Sequence, residues 1–259
     1  MLQAEHTAAR LWLDRHGLAD AEPTPLLAAR LAARWQAKLA GGLLVAVFLI
    51  GVGLTRKLGQ PTDAASSPPP LLVPAALVAG LLTAQWLLGR WVRRADRRAG
   101  AHLSRRAALP VELGWPAVLG RSHALFTAAT FAAALLLTVS VLPASDPGLR
   151  YGAIIVLIGL VGAGAGIVMQ LRQVLTGPAV AQDQASLTAD VVMRVEDARD
   201  LVTPGLVWYL PAIFLYGESP GWWNAASIAL VVAGAAGFVL IRIRGTGAGT
   251  VARQAMATR

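Results

Sequence analysis

The chain of 259 residues contains no cysteine, which excludes disulfides, thiolate nucleophiles, cysteine-ligated metals and S-acylation. Charge is scarce as well. Only 14% of residues are Asp, Glu, Lys or Arg, against 56% that are hydrophobic, a balance too apolar for an ordinary soluble domain. Lysine occurs twice, at Lys38 and Lys57, beside twenty-one arginines; the ratio suits GC-rich coding and no chemistry is attached to it. The four histidines, His6, His16, His102 and His123, form no His-Glu-x-x-His run, so a zinc site on one helical face is not expected. A Walker A loop is absent, and ATP-driven work would need a separate ATPase chain. There is neither a Gly-x-Ser-x-Gly elbow nor a pair of Asp-rich motifs of the kind found in membrane prenyl or phosphoalcohol transferases. The run Gly245, Gly247, Gly249 lacks the third glycine spacing and the preceding strand of a dinucleotide fingerprint. No catalytic, metal or cofactor-binding residue is assigned, and the chain reads as a non-enzyme.

What the sequence does have is six uncharged apolar stretches, over 39–55, 71–88, 124–142, 151–171, 201–217 and 222–241. Each is near the ~17 to 25 residues needed to cross ~30 Å of hydrocarbon as a helix. Asp, Glu, Lys and Arg are missing from all six, and intramembrane ionisable groups are the usual markers of proton relays. A proton-coupled carrier is therefore disfavoured. The sparse polar residues, Thr83, Gln85, Thr127, Thr130, Thr138, Thr203 and Ser227, are expected mainly to bond their own helix backbone. The fifth stretch is short and carries Pro204 and Pro211, each of which tends to kink a helix.

Loop charges set the orientation. The N-terminal segment, second loop, fourth loop and C-terminal tail together hold twenty Lys and Arg, while the opposite loops hold only Arg56, Lys57 and Arg150. By the positive-inside rule both termini are expected in the cytoplasm. Losing the fifth crossing would move four tail arginines to the sparse side, so six crossings fit the charges better than five. Trp35, Trp86, Trp91, Tyr151, Tyr216, Trp222 and Trp223 fall near the boundaries of these stretches, where amphipathic rings are favoured; Trp208 does not. The expected fold is an all-α integral protein of the plasma (inner) membrane with an N-terminal amphipathic interfacial helix. Acidic residues at Glu5, Asp14, Asp20 and Glu22 argue against a cleavable signal peptide, so the first apolar run is expected to stay as an anchor.

Outside the crossings, 1–38 reads as two short helices, the second starting at a Thr24 cap followed by Pro25. Its Leu27, Leu31 and Trp35 recur every four residues beside a basic row of Arg30, Arg34 and Lys38, which fits a surface helix whose arginines meet lipid phosphates or a partner. The basic loop 89–123 is expected to begin as an extension of the second crossing. Its Val111, Trp115, Val118 and Leu119 could cover the interface or a cytoplasmic partner, and nucleic acid is not expected. The connector 56–70, with three consecutive prolines, reads as a stiff spacer, and 242–259 as a flexible basic tail. The loop 172–200 breaks the trend by being acidic. Its Ser186 to Asp200 part has an amphipathic helical pattern with Asp190 and Arg194 as an i,i+4 pair. Asp190, Arg194, Glu196, Asp197 and Asp200 are the candidate contacts to a partner, or to the arginines of 93–106 in the same chain. Asp197 and Asp200 could also share a cation, without further ligand spacing to support it. Gly162 with Gly166, and Ala233 with Gly237, have the four-residue spacing of close helix packing, either within the chain or in a homodimer.

As a layout, a surface helix, six crossings and cytoplasmic elements are similar to the permease subunits of ABC-2-type exporters. The likeness is topological, spans the whole length and rests on no shared motif. The short outer connection 218–221 departs from it, leaving little room for the re-entrant hairpins of such permeases. The resemblance implies a transport-associated subunit working with a separate ATPase. The alternative is a non-transporting scaffold or regulator that binds a cytoplasmic partner, and a membrane enzyme of unfamiliar type stands third.

Overall fold

The computed structural model describes residues 2–58, 72–101, 114–177, 183–203, 205–211 and 221–257. These residues form helices and no strand: α1 (Leu2–Arg15), α2 (Pro25–Leu58), α3 (Leu72–Ala101), α4 (Trp115–Val139), α5 (Pro147–Thr176), α6 (Gln184–Val202), α7 (Gly205–Tyr209), α8 (Gly221–Arg244) and α9 (Ala248–Ala257). Among them five segments are long and apolar enough to cross a membrane: Pro25–Leu54, Leu72–Arg98, Val118–Val139, Leu149–Thr176 and Gly221–Arg244. The fold is therefore that of an α-helical membrane protein. The first four expected stretches and the sixth lie within or largely overlap these helices. Over 201–217 the structure instead has the end of α6 and the short α7, with Pro204 and 212–217 outside the described residues.

Lipid-facing and core-facing sides separate by helical period. On α2, Trp35, Leu39, Leu43, Val47, Ile50 and Leu54 are exposed, three or four residues apart along one face. Phe48 and Val52 on the other face enter a core with Val78 and Leu81 of α3, Ala134 of α4 and Val156 and Leu160 of α5. Exposed Trp35, Trp91 and Trp115 mark one end of the bundle, and exposed Tyr151 and Trp222 the other. On α5 the step from Tyr151 to Arg172 is about 32 Å at helical rise, the thickness of a hydrocarbon layer. The first end, here the polar end, gathers α1, α6 and α9 with the termini of the long helices. At the far end Trp223 of α8 donates through Nε1 to Ser140 Oγ at 3.0 Å, just past α4.

Several local expectations meet their structural reasons. Thr24 accepts from Leu27 N at 3.2 Å through Oγ1, starting α2, and α3 does run beyond its crossing to Ala101. Thr127, Thr130, Thr138 and Thr203 all donate to the carbonyl four residues earlier. The separate surface helix is a correction: nothing between Lys38 and Leu39 stops a helix, and α2 continues unbroken for 34 residues. The flexible tail is another, since Ala248, Val251 and Ala252 of α9 pack on Val191, Val192 and Val195 of α6. Val118 and Leu119 join the same cluster and so cover their own chain, whereas Trp115 is exposed and 110–113 lie outside the described residues. Gly120 (φ 69°) turns that entry into α4, a conformation that glycine adopts without strain.

At the packing positions, a Cβ on Gly162 would lie 3.0 Å from Leu82 and one on Gly237 2.6 Å from Phe126, whereas Gly166 faces open space. Ala233 borders a shallow groove with Ala133 and Leu137. Gly234 is equally tight, since a Cβ there would come 2.6 Å from the Trp208 ring. Gly234→Ala should therefore lower the melting temperature in detergent. Gly53→Ala, with nothing within 4 Å, should be neutral or stabilising by up to about 1 kcal/mol from helix propensity. Equal behaviour of the two variants would contradict the seating of α7 against α8.

Candidate functional site

The basic row of α2 and the acidic row of α6 meet each other. Arg30 and Arg34 are one turn apart and face inward, as do Asp190 and Asp197 two turns apart on α6. Arg30 donates from Nη2 to Asp190 Oδ1 at 2.6 Å and from Nε to Asp96 Oδ1 of α3 at 2.8 Å. Arg34 shares Asp96 with Arg30 and takes the remaining carboxylate, Asp197, in forked geometry. Its Nη2 lies 2.7 Å from Asp197 Oδ2 and 2.9 Å from Asp96 Oδ2, and its Nη1 lies 3.0 Å from Asp96 Oδ1. Arg194 closes the cluster with Nε at 2.8 Å from Asp190 Oδ2, the expected i,i+4 pair, and Nη1 at 2.6 Å from the Gly177 carbonyl. Three guanidiniums and three carboxylates balance to zero. Arg30 is 4% exposed, Arg34 8% and Asp190 0%, so these arginines do not meet lipid phosphates as expected; the carboxylates of α6 neutralise them instead.

The rows run in the same sense, and the next pair is Lys38 with Asp200 at 2.7 Å. It is far more open, with side chains 59% and 36% exposed. Glu196 points to α1. Its Oε2 accepts from Trp12 Nε1 at 3.1 Å and its Oε1 lies 3.1 Å from His16 Nε2, while His16 Nδ1 lies 2.7 Å from the Trp12 carbonyl. Both imidazole nitrogens thus face acceptors, and only the doubly protonated ring satisfies both. Burial opposes that proton, but the bonds to Glu196 and Trp12 outweigh it and raise the His16 pKa above its ordinary value. For Glu196, burial pushes the pKa up, yet His16 and Trp12 hold it below the usual carboxylate value. Arg253 of α9 donates to the His16 carbonyl at 3.0 Å, and Arg199 joins Val118 O to Thr246 O.

All five residues singled out for partner contact, Asp190, Arg194, Glu196, Asp197 and Asp200, are thus committed to bonds inside the chain. Among the described residues, Asp190, Asp197, Glu196 and Asp200 find partners on α1 and α2, Asp200 also lies 3.9 Å from Arg242 of α8, and Arg194 pairs with Asp190 and the Gly177 carbonyl; Arg105 and Arg106 lie outside the described residues. Asp96 and His16 were missed by sequence reasoning. The available signals were a lone acid inside the arginine run of α3 and a basic row whose spacing complements the acidic row. Among the described residues no three His, Asp or Glu side chains gather as a metal site. The cluster ties α2, α3 and α6 together at the polar end. Comparison with protein-family models, curated proteins and solved structures returns no match to this chain.

Removing one member of a buried ionic cluster strands the others. Asp190→Ala should destabilise the detergent-solubilised protein by about 3–5 kcal/mol, against about 1 kcal/mol or less for Asp200→Asn at the open pair; equal melting temperatures would exclude the cluster as a clamp. The α1 contact should also depend on pH. A raised His16 pKa contributes stability that is full below its ordinary 6.5 and lost as pH rises through the folded value. A lowered Glu196 pKa contributes above its ordinary 4.5 and is lost on acidification through the folded value. The melting-temperature gap between wild type and His16→Ala should therefore be widest between these two values and shrink towards alkaline pH; a gap that stays constant or widens would contradict the imidazolium.

Proposed function

We propose that the chain is a transport-associated subunit of the plasma (inner) membrane that crosses six times, with both termini cytoplasmic, and works with a separate ATPase. The observation that carries this reading is a break in the bundle interior. α6 ends at the polar end, where Thr127 Oγ1 of α4 lies 2.9 Å from the Val202 carbonyl, and α8 begins at the far end beside Ser140. Residues 203–220 join the two ends. On the way Val207, Trp208 and Leu210 are buried, against Val78 and Gly159 in one direction and Gly234 in the other. A short helix flanked by prolines at this depth is tolerated only inside protein or beside a cavity. Discontinuous crossings are where transporters build their sites and hinges. Trp208 Nε1 and Ser227 Oγ, buried without a hydrogen-bond partner among the described residues, add polar capacity to the same region. The excess of arginine at the polar end supports the cytoplasmic assignment.

A specific observation favours the second reading, a non-transporting scaffold or regulator. The carboxylates of α6 are used internally, so they offer no ready coupling surface, and α1, α6 and α9 close into a packed cap. Purification in mild detergent separates the two. The transport reading expects a co-purifying ATPase whose hydrolysis rate changes in the Asp96→Asn variant; a chain that purifies alone as a homo-oligomer sinks the ATPase partnership and leaves the scaffold. Topology can be read in the naturally cysteine-free background. With an impermeant maleimide on intact cells, Ser145→Cys should label while Gln184→Cys and Thr246→Cys stay protected. Labelling of Thr246→Cys with protection of Gln184→Cys would remove the fifth crossing.

A further inference from the structure

The polar end treats its arginines in two ways. Towards α2 and α6, three arginines meet three carboxylates. On the opposite side of α3, Arg90, Arg93, Arg94, Arg97 and Arg98 have no carboxylate within ion-pair distance among the described residues. At 100° per residue these five lie within an arc of roughly 140°, centred about 130° from Asp96 with Arg93 on the nearer edge. The same arc continues down α3 as exposed apolar surface at Leu72, Ala76, Ala79 and Leu87, the side that meets acyl chains. The cations follow immediately where that surface ends.

Two of the five are fixed in position. The Arg90 guanidinium stacks over the Trp86 ring, 4.5 Å from its centroid, and Arg93 Nη1 lies 3.4 Å from Gln170 Oε1 of α5. Gln170 is itself buried, and a Cβ on Gly89 would collide with its amide, so Gln170 occupies the space beside Arg93 at the α3–α5 seam. Exposed Trp91 sets the depth at the interface. Five like charges on two and a half turns repel one another, and an anion beside them relieves that repulsion. At this depth, above a continuous acyl-facing stripe, the anion that fits is a phosphate carried by a lipid.

We propose that the arginine arc of α3, with Arg90, Arg93 and Arg97 at the α3–α5 seam, is a binding site for an anionic phospholipid of the leaflet at the polar end. The phosphate accepts from the guanidiniums of Arg93 and Arg97, Arg90 is held ready by Trp86, and the acyl chains lie along the apolar stripe below. Such a site anchors the end of α3 from its outer side, opposite the ionic cluster that anchors it from within. It differs from diffuse attraction to a charged leaflet because it depends on these positions and not on net charge.

The test uses the full chain, purified in mild detergent and stripped of lipid, with phosphatidylglycerol, phosphatidylcholine or inorganic phosphate added back. Phosphatidylglycerol should raise the melting temperature and remain bound in native mass spectrometry, while phosphatidylcholine and inorganic phosphate should do neither. The triple variant Arg90→Gln, Arg93→Gln, Arg97→Gln should weaken phosphatidylglycerol binding roughly a hundredfold, from the usual contribution of a basic residue at a charged surface. A triple of equal charge loss elsewhere, Arg10→Gln, Arg121→Gln, Arg172→Gln, should keep it. Equal weakening in both triples overturns the site in favour of diffuse charge. Stabilisation by inorganic phosphate overturns the lipid as its ligand. Should the first triple not assemble, Arg93→Gln alone must weaken retention, and undiminished retention overturns the proposal.

Discussion

The contact between Arg30 and Arg34 of α2 and the carboxylates of Asp96, Asp190 and Asp197 is the constraint on which the rest of the polar end depends. Set against a well-packed apolar replacement, a buried ionic cluster gains little net free energy, because desolvating six charges offsets most of their attraction. Its consequence is geometric. If α6 slipped by one turn along α2, a guanidinium or a carboxylate would lose its counter-charge inside the protein. One register is therefore preferred over its neighbours, and the parallel order Arg30–Asp190, Arg34–Asp197, Lys38–Asp200 is the result. The Arg194 guanidinium extends the same logic to the end of α5 through the Gly177 carbonyl.

A fixed α6 explains the cap built around it. Residues 188–195 are buried on nearly every side, although this helix is no more apolar than a surface helix. It can be enclosed because its polar groups are matched: the Asp183–Ser186 capping box satisfies its start, the cluster takes its acids, and α1 answers Glu196. α9 covers what remains with Ala248, Val251 and Ala252. Arg253 then joins α9 to the His16 carbonyl, so the two ends of the described chain meet over the middle helix. Without the ionic register, neither α1 nor α9 would have a defined surface to cover.

The sequence was informative wherever the signal was local. Apolar length found the long helices, Thr24 and Pro25 found the start of α2, and the threonines at 127, 130, 138 and 203 followed the back-bonding rule. Pairing across 160 residues was not legible. Both charged rows were visible as rows, yet neither was matched to the other: the basic one was assigned to lipid or a partner, the acidic one to a cytoplasmic protein or the arginines of 93–106. Helical periodicity says which residues share a face but not what the face meets. The same limit hid Asp96, which reads as one acid in a solvated arginine run, and α9, whose small residues resemble a flexible tail until α6 is beside them. For the fifth stretch the prolines did give the warning: the break around α7 falls between Pro204 and Pro211.

That break acquires its meaning from what is fixed on either side. Upstream, α6 is held by the ionic register and its end by Thr127. Downstream, α8 is held at the far end by Trp223 on Ser140 and in the middle by Phe126 against Gly237. Among the described residues α7 has no such charged anchor. Its contacts are apolar and aromatic: Trp208 makes edge contacts with Phe126 and Phe238 and lies flat against Gly234. Dispersion contacts of this kind are strong in sum but undirected, and they allow sliding that a buried ion cluster forbids. The stiff and the compliant parts of the protein are thus adjacent in sequence, joined at Val202 and Thr203.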